Sequence, residues 1–249
     1  MVEYFIRSNI YRGICKEEFF LADAAPHNKE RKRQMTKLML VRHAESICNK
    51  EKIFTGMLDV PLSSNGSEEA RVVGTSLREE QIDCVFVSSL IRAKETAAII
   101  LQEHYNYHGW RIPLFVRDGA PLDWQRYIPV WEDSRLNERY YGVCEGEKKA
   151  EMRMKYGDDA VDSWRREWNA APDGSESLKD VSSRVRVALE EKVIPMLQEE
   201  RNVLVVCHQN PLRAFKIIIE EIAPENVSEI EFENGACLQY EYRMGRFVW

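Results

Sequence analysis

Two apolar runs in this sequence end in a histidine. Leu38-Met39-Leu40-Val41 leads into Arg42-His43, and Val203-Leu204-Val205-Val206-Cys207 leads into His208. A short apolar run bounded by turn signals reads as a buried strand, and open α/β sheets bind ligands beyond the carboxyl ends of their strands. Both imidazoles would then face a crevice. A third run, Cys84-Val85-Phe86-Val87, is followed by Ser88-Ser89 and Arg92. Neutral imidazole is a nucleophile near neutral pH, and phosphoryl transfer is catalysed mainly by positioning and by stabilising charge on the phosphoryl oxygens. Guanidinium forks and backbone N–H groups at a helix start supply that stabilisation. The set therefore fits phosphoryl transfer through a phosphohistidine. Each histidine alone fits equally a hydrogen-bonded residue at a strand end; their shared context, in a chain with five histidines, favours chemistry.

The elements that must position these groups follow from periodicity. After a strand at 38–41, a turn covers 59–66 and a helix covers 67–80, with Ala70, Val73 and Leu77 on one face. A strand at 82–87, a helix from 90 to about 104 and a strand at 111–116 follow. Residues 120–176 read as a long excursion without strands, with helices at 147–156 and 159–168 and a turn at Pro172-Asp173-Gly174. Long loops of this kind are usually lids or binding elements. A Ser-capped helix spans 177–200, with Pro195 predicting a kink or an early stop. Beyond His208, Pro211 opens a helix to 222. Two strands, 235–242 and 246–249, turn through Met244-Gly245 and close one sheet edge as a hairpin. Strands alternating with helices predict parallel pairing with helices on both faces.

A chain of 249 residues, 44% hydrophobic, can bury one sizeable α/β core. Thirty-five basic against 41 acidic side chains give a net charge of −6, which gives no general attraction to nucleic acid or to an anionic membrane. An anionic ligand would need local arginines. The six cysteines form no CxxC pair and no metal-ligand spacing, as expected for reduced thiols in an intracellular compartment. No run approaches the roughly 18 apolar residues that span a bilayer. Residues 1–36 read as an N-terminal extension, with a weakly amphipathic helix over 4–20 and a polar, mostly basic linker from 27 to 37, ahead of a catalytic domain at 37–249.

Arg42-His43-Ala44-Glu45-Ser46, Phe54-Thr55-Gly56, Ser88 to Thr96 and Leu136-Asn137-Glu138-Arg139-Tyr140-Tyr141-Gly142 resemble the histidine phosphatase superfamily. Lys148-Lys149-Ala150-Glu151, Ser163-Trp164-Arg165-Arg166 and Glu176-Ser177-Leu178-Lys179-Asp180 make the stretch from about Lys37 to about Tyr242 most similar to the cofactor-dependent phosphoglycerate mutases. The resemblance implies a three-layer α/β/α sandwich with a mostly parallel central sheet and one antiparallel edge strand. It implies a cytoplasmic, metal-independent enzyme, a monomer or homodimer, acting on a small phosphorylated three-carbon acid and primed by 2,3-bisphosphoglycerate. His43 would accept the phosphoryl group, surrounded by Arg42, Arg92 and His208, with Glu138 as acid and base. Ser46, Asn49, Thr55, Gly56, Tyr141, Lys149, Arg165, Arg166, Gln209 and Asn210 would bind substrate. On residue type alone, Glu138 could simply pair with Arg135 or Arg139, and Arg165-Arg166 could be a solvated helix face.

The sequence also departs from the family pattern. Gln209 stands where glycine is usual, and Pro211 where a small hydroxyl residue is common. The insertion between Trp164-Arg165-Arg166 and Glu176-Ser177 is short, and the chain stops at Trp249 without a mobile tail. These departures keep open a histidine phosphatase that hydrolyses a small phosphoester or phosphoprotein. Gln209 together with the unusual N-terminus also leaves, as a third reading, a non-catalytic binding protein on the same scaffold with residues 1–37 as its interaction element.

Overall fold

The computed structural model describes residues 35–249 apart from 110, 120 and 121. The helix expected over 4–20 and nearly all of the basic linker lie outside the described residues.

Seven strands form one sheet in the order β3-β4-β2-β5-β1-β6-β7. They are β1 (Thr36–Arg42), β2 (Cys84–Val87), β3 (Ile112–Phe115), β4 (Tyr127–Glu132), β5 (Val203–Cys207), β6 (Cys237–Arg243) and β7 (Arg246–Val248). The first five pair in parallel, whereas β6 runs antiparallel to β1 and β7 antiparallel to β6. The hairpin expected at the edge is therefore present.

Strand periodicity sorts the core into two layers. Leu38, Leu40, Cys84, Phe86, Val203 and Val205 face one way, against Val181 and Val185 of α6 (Leu178–Ala188) and Leu212 and Phe215 of α8 (Gln209–Ile219). Met39, Val41, Val85, Val87, Leu204 and Val206 face the other way. They meet Val73 and Leu77 of α2 (Ser64–Leu77) and Ala97 and Ile100 of α3 (Ile91–His108). A one-residue slip in any strand would turn its whole apolar set into the wrong layer, so these patterns fix the register. Burying a Val, Leu or Ile side chain contributes about 1.5–3 kcal/mol.

β1 and β5 are adjacent and parallel, yet the chain leaves β1 toward α2 on one face and leaves β5 into α8 on the other. That divergence opens a crevice at their carboxyl ends, the general location of ligand sites in such sheets.

Two expectations change. The 120–176 excursion contains a strand, β4, seated between β3 and β2. Pro129 at its centre removes a ladder donor, which argues against an interior strand; here parallel pairing to β3 and β2 carries it. Pro195 does not stop the helix. The last turns widen into a π-helical segment, Leu189–Val193, and α7 (Ile194–Gln198) continues with Pro195 in its first turn, where its missing N–H costs little. Among the described residues, the remaining α-helices are the short α1 (Ile47–Lys50) and the pair α4 (Lys149–Tyr156) and α5 (Asp158–Arg166), which lies over the crevice.

Candidate active site

The crevice holds a cavity of about 230 Å³. Arg42, His43, Asn49, Thr55, Gly56, Arg92, Glu138, Tyr141, Lys149, Arg165 and Gln209 all line it. His208 lies directly beneath, its ring centroid 4.8 Å from that of His43 and inclined at 61°. Residues 165 positions apart in the chain are thus brought into ring contact by the β1–β5 pairing.

His43 is buried, and its Nδ1 lies 2.7 Å from the Ala44 carbonyl oxygen. A carbonyl can only accept, so Nδ1 carries the proton and Nε2 keeps its lone pair. Arg92 Nε–H donates to that lone pair at 3.3 Å. Burial first, then the charges of Arg92 and Arg42, hold the imidazole well below its ordinary pKa of 6.5. At pH 7 it is a neutral imidazole whose Nε2 lone pair has the character a nucleophile needs.

Arg92 is itself 1% exposed. Its other nitrogens donate to the Leu58 and Gly56 carbonyls, both at 2.8 Å, which ties the 55–58 loop to His43. Gly56 has φ +50°, and a Cβ there would meet the Glu145 carboxylate at 1.9 Å. Glu145 cannot readily yield, because it accepts from the Met57 and Tyr141 backbone N–H groups at 2.8 and 3.1 Å. Only glycine fits at this position.

His208 Nε2 sits 2.7 Å from Ser88 Oγ, which is 2.7 Å from Asn137 Oδ1. The single hydroxyl proton has two possible acceptors. When it points to Asn137, His208 holds its proton on Nε2; when it points to His208, the proton sits on Nδ1. In the second arrangement Nδ1 becomes a donor for an anion, and this buried nitrogen has no partner among the described residues. Burial, then Arg92 and His43, keep His208 neutral as well.

Glu138 follows β4 through a short 3-10 turn, Ser134–Leu136. Arg184 clamps the segment by donating to the carbonyls of Arg135, Asn137 and Glu138. The Glu138 carboxylate caps α8 from outside its own chain segment. Oε1 accepts from Arg139 N, Asn210 N and Asn210 Nδ2, while Oε2, among the described residues, accepts only from Gln209 N at 3.2 Å. The helix N–H groups that could have met a phosphate are thus taken up by a carboxylate, and Oε2 retains lone pairs for a substrate proton. It does not pair with Arg135, which bonds Asp133 and Glu191 instead.

The other expected residues divide into those that line the cavity and those that hold its lining. Ser46 caps α1 and fixes Asn49 through its backbone N–H and its Oγ, at 3.1 and 2.9 Å. Asn210 Nδ2 reaches both Glu138 and the Tyr141 hydroxyl, and Tyr141 lies over the Arg139 guanidinium at 4.3 Å. Lys149 is mostly buried against the Phe54 ring, and burial, with Arg165 and Arg42 nearby, lowers its pKa from 10.5 to about 8. Arg165 lines the cavity, but Arg166 does not and is half exposed; consecutive helical residues point about 100° apart. Gln209 begins α8 with no left-handed backbone. Its position does not require glycine, and its side chain forms part of the wall.

The sequence reading overlooked Glu231, Phe232 and Glu233, which also line the cavity. The Phe232 carbonyl accepts from Arg42 at 2.5 Å. A signal was available, since a strand running antiparallel to β1 must begin beside the end of β1. Ser88, Asn137 and Arg184 act at one remove; the sequence marks Ser88 as lying past the end of a strand, but not that it meets His208 and Asn137.

Around the cavity, Arg42 Nε, Thr55 Oγ1, His208 Nδ1 and Gln209 Oε1 are buried without a hydrogen-bond partner among the described residues. Three of these can donate to oxygen, so the residues fit a bound phosphoryl group.

The sequence profile of the histidine phosphatase superfamily (branch 1) matches residues 38–111 and 120–249. The chain is 38% identical over 219 residues to a 2,3-bisphosphoglycerate-dependent phosphoglycerate mutase of Gloeothece citriformis (strain PCC 7424), covering 83% of this chain and 94% of that protein. It is 34% identical over 222 residues to a protein of the same name from Chlamydia trachomatis serovar L2, covering 86% and 97%. A solved mycobacterial glucosyl-3-phosphoglycerate phosphatase shares the fold, with a TM-score of 0.69 at 22% identity over 86% of this chain and 97% of that one. The chain belongs to the histidine phosphatase superfamily, and within it to the 2,3-bisphosphoglycerate-dependent phosphoglycerate mutases.

Proposed function

We propose that this protein interconverts 3-phosphoglycerate and 2-phosphoglycerate through phospho-His43. The observation that carries the reading is the state of His43: a neutral ring, oriented by the Ala44 carbonyl, with its Nε2 lone pair facing Arg92 in a cavity lined by cations.

2,3-Bisphosphoglycerate supplies the phosphoryl group that primes the enzyme. His43 Nε2 accepts it, and Arg42, Arg92 and the Nδ1–H tautomer of His208 stabilise its oxygens. In the productive step the free hydroxyl of phosphoglycerate attacks phosphorus. The N–P bond breaks, and Glu138 Oε2 takes the hydroxyl proton. In the return step Glu138 gives the proton back to the departing oxygen as His43 regains the phosphoryl group from the neighbouring carbon. Lys149, Arg165 and Tyr141 bind the carboxylate and the second phosphate. The α4–α5 pair covers the crevice and limits hydrolysis by water.

Conversion of 3-phosphoglycerate, followed together with release of inorganic phosphate, tests this. Conversion that depends on bisphosphoglycerate and greatly exceeds phosphate release is expected, with both lost in His43→Ala. Phosphate release alone would mean that water is the acceptor and that the protein is a phosphatase.

A further inference from the structure

The cavity lined by Arg42, Arg92, Lys149 and Arg165 is also lined by acids. Glu138 is committed to the start of α8. Glu231 has no such structural duty. Its Oε1 lies 3.5 Å from Arg166 Nε and 4.0 Å from Arg165 Nη2, with the Glu231 side chain half exposed. The backbone on either side is anchored. Ile230 is buried with Leu178, Ile217 and Val227, and the Phe232 carbonyl is held by Arg42. Glu231 is therefore held at the cavity edge by its neighbours, while its carboxylate stays free to swing into water.

We propose that Glu231 is a built-in stand-in for the distal anion of the ligand: its carboxylate, held at the cavity edge between Arg165 and Arg166, must leave before the cavity-lining Arg165 can grip a carboxylate or second phosphate. This rests on the reading of the cavity as a phosphoglycerate site. Long, part-exposed ion pairs are worth little individually, so the carboxylate can be displaced. It makes the site selective, because a ligand anchored only at His43 gains nothing by displacing Glu231. A ligand with a second anionic group recovers Arg165. The negative charge also reaches inward, opposing the fall in the pKa of Lys149.

The test compares wild type, Glu231→Gln and Glu233→Gln. Glu233 lines the same cavity, so its substitution removes an equal charge and reports the general field. Binding of 3-phosphoglycerate and of inorganic phosphate is measured by calorimetry without primer, and the KM for 3-phosphoglycerate with it. Glu231→Gln is expected to tighten 3-phosphoglycerate binding and lower KM by about two- to fivefold, the range of one exposed ion pair. Inorganic phosphate affinity and kcat should move by less than twofold. Glu233→Gln should have the smaller effect on 3-phosphoglycerate, and the gain should shrink at about 1 M salt. Unchanged or weakened binding of 3-phosphoglycerate to Glu231→Gln would overturn the proposal, as would equal shifts for phosphate and phosphoglycerate. If wild type binds 3-phosphoglycerate but does not convert it, the functional reading fails while the binding comparison still decides the role of Glu231. If neither protein binds it, both fail.

Discussion

Lys149 shows most directly how burial sets the chemistry of one residue. Its ammonium group is desolvated and faces Arg165 and Arg42, which brings its pKa to about 8. Below that pH it is a cation, which the proposed function uses to hold an anionic substrate; above it the charge is lost. The expected result is a KM for 3-phosphoglycerate that rises by up to about tenfold between pH 7 and pH 9, since only about a tenth of the lysine stays protonated one unit above its pKa. Lys149→Arg, which cannot deprotonate in this range, should flatten the rise. A wild-type KM that is constant over this interval would contradict the assignment. His43 shows the same principle with a different outcome, because burial beside two guanidiniums keeps it neutral and therefore nucleophilic. The residue types here were legible in the sequence. Their protonation states were not, because these depend on which charges the fold brings close.

At the scale of elements, the site depends on strand ends and helix starts. β1 delivers His43, β5 delivers His208, the β2–α3 junction delivers Ser88 and Arg92, and β4 delivers Glu138. The first three were readable because an apolar run that stops at polar residues marks both the strand and its end. β4 was not readable, because Pro129 breaks the pattern and only its flanking strands restore it. Helix α3 makes a separate prediction. His104 packs against the end of the preceding segment, with Nε2 3.1 Å from the Glu80 carbonyl, and burial lowers its pKa from 6.5 to about 4. The unfolded chain then binds more protons than the native one between these values, so stability rises with pH there and is lost as pH falls from about 6.5 toward 4. His43 and His208 are lowered in the same direction and add to it. The denaturation midpoint should fall measurably between pH 7.5 and pH 5, above the range in which ordinary carboxylates titrate. Glutamine at position 104, which keeps an N–H donor without the titration, should reduce the fall. Equal midpoints at the two pH values would contradict this.

At the scale of the whole molecule, the parallel sheet turns local sequence signals into one site. β1 and β5 lie side by side while the helices that follow them pack on opposite faces, so both histidines emerge at the one place where the layers part. The antiparallel edge then brings 231–233 to the same opening, where Gly235 N–H donates to the His43 carbonyl at 3.3 Å. That contribution was legible only indirectly, because 231–233 form an irregular loop with no pattern of its own and are placed by where β6 must begin beside the end of β1. The sheet order thus accounts for groups from five separated stretches of chain meeting around one cavity. The measurement that tests this most directly is incubation with 2,3-bisphosphoglycerate followed by ³¹P NMR of the denatured protein. An acid-labile phosphoryl group on the Nε2 nitrogen of His43, absent from His43→Ala, is predicted. A protein that takes up no label, or carries it on another residue or on Nδ1 of His43, would contradict the assignment of His43 as the phosphoryl acceptor in the orientation seen here.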